Sequence, residues 1–140
     1  MAKSDNLPIY NSAFSLLKNL HERVPKFSKL YKYSLGEKVL VCGMDIVLLI
    51  VEANNQKSNY TRISSIEKII KKTDELMLYI RLAEELKQFN SAKAYPFLVD
   101  KICEISRQSA GWKNTYLPQN YRQAMPVSVG KEMPPLTPQV

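Results

Sequence analysis

Ile9, Ala13, Leu16, Leu17 and Leu20 recur at steps of three and four, with Tyr10 and Phe14 flanking the same stripe. That period predicts a helix over 9–23 with one face turned to a core. Pro25 sets its end, because the residue before a proline is pushed out of the helical region. Ser34-Leu-Gly-Glu37 reads as a capping box, the serine oxygen accepting the backbone N–H at position 37 while the glutamate reaches back. A second helix is expected from there to Ala53, where Asn54-Asn55-Gln56 begins a polar turn. Eleven of the thirteen residues over 39–51 are apolar, broken only by Gly43 and Asp45. An outer helix of a small bundle needs one apolar stripe. The surplus predicts a second copy of the chain against this helix, with Val39, Val41, Met44, Val47, Leu48 and Val51 as the interface.

A longer helix is expected over 61–89, where Ile66, Ile69, Ile70, Thr73, Leu76, Met77, Ile80, Ala83 and Leu86 keep a near-heptad stripe. Ser91 is placed to cap a fourth, whose apolar face holds Tyr95, Leu98, Val99, Ile102, Cys103 and Ile105. Pro96 fits the first turns, where few internal hydrogen bonds are lost, and Gly111 is a plausible stop. From Asn114 onward five of the eight prolines appear and the period vanishes. The fold expected is all-α, an up-down-up-down antiparallel four-helix bundle over 1–113, with an extended proline-rich tail over 114–140.

Composition narrows the chemistry. Four glycines are too scattered to cradle a phosphate, and the single histidine, His21, excludes paired-histidine motifs. Cys42 and Cys103 lie among apolar neighbours and read as small core residues. Asp45 has no histidine or second carboxylate at helical spacing, so it reads as an interface or capping hydrogen-bonder. No catalytic residue, metal or cofactor is expected. The first residues lack the apolar run of a secretory signal, and 39–51 falls short of the roughly 18 residues a membrane span needs. A cytoplasmic protein with no membrane partner is the expectation.

Twenty basic against thirteen acidic side chains leave a net charge of +7, which favours a polyanionic partner. The tail contributes only Arg122 and Lys131 against Glu132, so nearly all of the excess belongs to the folded part. In an up-down bundle the first and last inter-helix turns share an end. That end gathers Lys26, Lys29, Lys32, Lys87 and Lys93, interleaved with Phe27, Tyr31, Tyr33, Phe89 and Tyr95. Cations for phosphates and rings for unpaired bases suit single-stranded nucleic acid. The plainer reading is solvated lysines and tyrosines padding the bundle's end. Lys68, Lys71 and Lys72 form a second basic group on the third long helix. Arg81, in an apolar run, is expected to pair with Asp100 or Glu104 or else to contact phosphate. Trp112 reads as a hydrophobic plug at the other end.

Four motifs in order, Tyr31-Lys-Tyr-Ser-Leu-Gly-Glu-Lys38, Glu52-Ala-Asn54, Tyr79-Ile-Arg-Leu-Ala83 and Glu104-Ile followed by Gly111-Trp-Lys113, resemble the accessory variability determinant family. The resemblance covers roughly 9–114. Proteins of that family accompany the reverse transcriptases of diversity-generating retroelements, and related four-helix proteins are encoded in intervening sequences of 23S ribosomal RNA. The resemblance implies a non-catalytic, homopentameric RNA-binding scaffold for a reverse transcriptase in mutagenic retrohoming, holding template RNA or an RNA/DNA hybrid. Its basic surface would fall here on Lys32, Lys38 and Arg81. The alternative it implies is a structural protein of the intervening-sequence type without a polymerase partner.

Overall fold

Pro8 opens helix α1, where its fixed φ suits the first turn and its missing N–H leaves no bond unmade. The computed structural model describes residues 7–118. Helix α1 (Pro8–Arg23) buries Ile9, Ala13, Leu16, Leu17 and Leu20, the stripe its spacing predicts. Pro25 does end it, by tightening the chain into a 3₁₀ turn over Val24–Lys26. A single helical turn, α2 (Lys29–Lys32), then precedes α3 (Leu35–Asn54).

Ser34 is the N-cap of α3, yet the expected capping box is absent: its hydroxyl donates to the carbonyls of Leu30 at 3.3 Å and Tyr31 at 3.5 Å. The proton of the hydroxyl goes back to α2 (Lys29–Lys32), and its oxygen accepts from no N–H of α3. Gly36 is demanded by close packing, since a Cβ there would lie 2.8 Å from Val24 Cγ1 and 3.3 Å from the Tyr31 carbonyl oxygen.

The apolar surplus of α3 is narrower than the sequence suggests. Helix α3 packs against both α1 and α4 (Asn59–Glu85), so its buried arc is wide. Val39 and Val47 are sealed in the chain's own core and cannot face a second copy. Val41, Met44 and Leu48 remain open, 57%, 43% and 58% exposed, and Val51 is half-buried beside them.

Helix α4 starts at a Ser58 cap, whose hydroxyl oxygen accepts the Thr61 N–H at 3.1 Å, and stops four residues before Phe89. The reason is Lys87, held at φ 59. Its N–H donates to the Glu84 carbonyl and that of Gln88 to Ala83, both at 2.9 Å, closing the paired bonds of a left-handed helix end. A side chain in that region costs roughly 1–2 kcal/mol, against about 0.4–1 kcal/mol for a glycine's extra freedom when unfolded. Lys87→Gly is therefore expected to raise stability by about 0.5–1 kcal/mol, read as a higher urea midpoint at unchanged slope. A lower midpoint would mean that the lysine stem contributes packing.

Helix α5 (Ala94–Thr115) begins after a turn in which the Ser91 hydroxyl oxygen accepts the Lys93 N–H at 3.1 Å. Pro96 falls in its first turn. Gly111 does not end it, because no glycine among the described residues takes a positive φ, the conformation by which glycine stops a helix. The helix passes the expected boundary at 114, and the tail from 119 onward lies outside the described residues. Helix α1 packs on α3 and α5, and α4 packs on the same two, around a core that includes Leu16, Ile46, Ile50, Ile66, Ile69, Leu98 and Ile102. At one end Trp112 lies against this core. Arg62 there donates to the carbonyls of Ala53 and Gln56, closing the end of α3, and stacks 4.9 Å over the Tyr116 ring.

Candidate nucleic-acid interface

Two segments without long helix, 24–34 and 86–93, meet at the bundle's other end. Gln88 makes the junction: its buried side-chain oxygen accepts the Ser28 N–H at 2.8 Å, while its nitrogen donates to the Leu86 carbonyl at 2.8 Å. Phe89 completes it, edge-on to Phe27 with centroids 5.7 Å apart. The two basic segments therefore share one surface, as their order in the chain suggests.

Lys26, Lys29, Lys87 and Lys93 are exposed there, and Lys32 is half-exposed with its ammonium 5.8 Å over the Tyr33 ring. None of these five pairs with a carboxylate among the described residues. The ion pairs lie along the helix flanks instead. Lys113 meets Glu67 at 3.0 Å and Lys101 meets Glu104 at 3.5 Å. The five ammoniums at the basic end are thus free of a competing ion pair within the chain, and the exposed carboxylates of Glu84 and Glu85 close α4 at the same end.

Lys72, expected in the second basic group, is held in an ion-pair bridge. Its ammonium sits 3.4 Å from both Asp45 and Glu75, bridging α3 and α4. Burial opposes its charge, but the two carboxylates outweigh that and hold it above the usual lysine range. Asp45 is thereby an ion-pair partner. Lys68 and Lys71 are exposed on α4. Arg81 is exposed and makes no ion pair among the described residues. Neither carboxylate expected to hold it does so: Glu104 pairs with Lys101 and accepts the Ser12 hydroxyl at 2.8 Å, and Asp100 makes no ion pair among the described residues.

Beside the basic end, an open cleft of about 480 Å³ runs between α3 and α4. Tyr33, Glu37, Lys38 and Val41 form one side, Glu75 and Tyr79 the other. Cys42 lies beneath, its thiol pushed up to about 12 by burial first and by the nearby Glu75 charge second. It stays protonated at neutral pH and is inert as a nucleophile. The Tyr79 hydroxyl donates to Glu75 at 3.0 Å, and that bond, aided by burial, raises its pKa. Sequence reasoning missed this cleft and Gln88. Glu75 and Tyr79 stand one helical turn apart, a spacing at which side chains meet, but nothing in the sequence aligns them with Tyr33 and Lys38.

Among the described residues no group of three or more His, Cys, Asp or Glu could hold a metal, and no helix is long and apolar enough to cross a membrane. No protein-family model and no curated protein matches the chain.

Proposed function

We propose that this protein is a non-catalytic, RNA-binding accessory subunit of a retroelement reverse transcriptase, working in the cytoplasm as an oligomeric scaffold. The observation that carries the reading is the junction at Gln88 and Phe27–Phe89, which brings two basic, aromatic segments onto one surface, with none of their five lysines in an ion pair among the described residues. Segments already docked to one another present their lysines together, so no backbone ordering is required on binding. The reading takes the bundle as up-down-up-down and antiparallel. Contacts between Cys42 and Lys72, Arg62 and Ala53, and Lys113 and Glu67 support that course, since the residue numbers fall on one helix as they rise on its neighbour. The motif resemblance supports the reverse transcriptase as partner. Co-purification of that enzyme with the chain, lost when the basic end is neutralised, tests the partner directly.

The scaffold role rests on the open strip of α3. Val41, Met44 and Leu48 present a contiguous apolar face on one helix, and covering it favours association. Light scattering is expected to show a mass well above the 16.1 kDa of one chain, with five copies as the resemblance implies. Leu48→Glu should reduce that mass to the monomer with helicity unchanged, because the residue is exposed within its own chain. A wild-type chain that stays monomeric at micromolar concentration removes the interface and the scaffold with it.

A further inference from the structure

The cleft between α3 and α4 opens next to the basic end and has a lining of aromatic, acidic and basic side chains. Its volume of about 480 Å³ falls within the roughly 300–1,000 Å³ of small-ligand sites. Tyr33 stands at its edge with 69% of its surface open. Lys32 approaches the same ring at 5.8 Å, which joins the cleft to the phosphate-binding cations. Within it, Glu75 is already committed to Lys72 and to the Tyr79 hydroxyl. Glu37 and Lys38 are not: both are exposed, and neither has an ion-pair partner among the described residues. A ligand entering here meets an exposed tyrosine, a carboxylate and an ammonium outside any ion pair.

We propose that this cleft is a base pocket for guanine, carried by an unpaired nucleotide of the bound strand. The proposal rests on the RNA-binding reading and adds one base-selective position to it. Planarity and size admit any base to the Tyr33 face, because every base stacks. The polar groups then discriminate. A carboxylate accepts two adjacent donors best, and among the four RNA bases only guanine offers such a pair, N1–H beside the N2 amine. Adenine would turn the lone pair of N1 toward the carboxylate, cytosine that of N3, and uracil has a single N–H between two carbonyls. Guanine also presents O6 and N7 as acceptors, the edge that lysine commonly reads. Glu37 and Lys38, adjacent in sequence at the start of α3, supply the acceptor and the donor that this pattern requires. Elsewhere on the basic end, lysines and rings read phosphate and π-face and not the base edge.

The test compares a short oligoadenylate with the same strand carrying one central guanine, alongside guanosine and adenosine 5′-monophosphates as free ligands. The guanine strand is expected to bind about tenfold tighter, within the span of a good bidentate contact. Glu37→Gln should bring the ratio of the two strands to about one, since an amide offers a single acceptor and a donor that opposes N1–H. Circular dichroism checks the fold, which an exposed position should leave intact. Equal affinity for the two strands, or a guanine advantage that survives Glu37→Gln, overturns the pocket and leaves the RNA reading standing. If neither strand binds even at low salt, the RNA reading falls and the monophosphates decide. Preference for the guanosine form then keeps a guanine-nucleotide site, and no preference overturns it.

Discussion

Replacing Lys26, Lys29 and Lys32 together by glutamine is expected to lower affinity for single-stranded RNA about a hundredfold near 0.1 M salt and to flatten its salt dependence by about two units. Each phosphate neutralised on a single strand contributes about −0.7 to the slope of log K against log salt, through counterion release. Three such phosphates account for both figures. The substitutions should leave the fold intact. Lys26 and Lys29 are exposed, Lys32 is half-exposed, and none holds a carboxylate. Within the chain they remove the Lys32 ammonium from the face of Tyr33, an attraction worth about 0.5 kcal/mol at an exposed site. In a symmetric oligomer each change recurs in every copy, so the loss on a long strand should exceed the single-chain figure. Affinity measured across a salt series, for wild type and triple variant with matched circular dichroism, checks it. An unchanged slope with intact helicity would make this end ordinary solvated surface and would move the RNA site to Lys68, Lys71 and Lys72 on α4.

That a basic end exists could be read from the chain, because the order of four helices with short connections leaves little choice of which turns meet. What holds it could not. Gln88 is one polar residue among many until its oxygen is seen against the Ser28 N–H. The helices themselves were legible where one apolar stripe did the deciding, as with Leu16, Leu17 and Leu20 in α1 or Leu76 and Ile80 in α4. Their ends were less so, since an end depends on which acceptor lies nearest. Ser34 turns to α2 carbonyls and not to its own helix, and Lys87 takes a left-handed conformation that no sequence rule assigns to lysine. Gly111, by contrast, carries a stop signal that the chain does not use. Side-chain partnerships across helices were the least accessible. The Lys72 pairs with Asp45 and Glu75 require the register of α3 against α4, and that register is a property of the packed core. The apolar pattern puts Val39 and Val47 at an interface for the same reason. Eleven apolar residues in thirteen cannot say how many neighbours their own chain provides.

Truncating Leu76 or Ile80 to alanine is expected to cost about 2–5 kcal/mol each, far more than the same truncation at an exposed position of the helix. Both side chains are fully buried, at 0% exposure, on the face of α4 that packs between α3 and α5. Removing their branched carbons loses the transfer free energy of burial. It also leaves a void, because neighbours held on two other helices cannot close in. Lys71 stands on the same helix with its side chain exposed, so Lys71→Ala should change stability by under about 0.5 kcal/mol. The contrast within a few residues makes the comparison a test of helical phase: a rotation of α4 by half a turn would exchange the two outcomes. Urea titration reads both as shifts of the midpoint at constant slope. It should be run at fixed protein concentration, since association through α3 would add its own stabilisation by mass action. Loss of cooperativity in Leu76→Ala, with the slope itself falling, would show that α4 organises the whole core and that the cost exceeds one cavity.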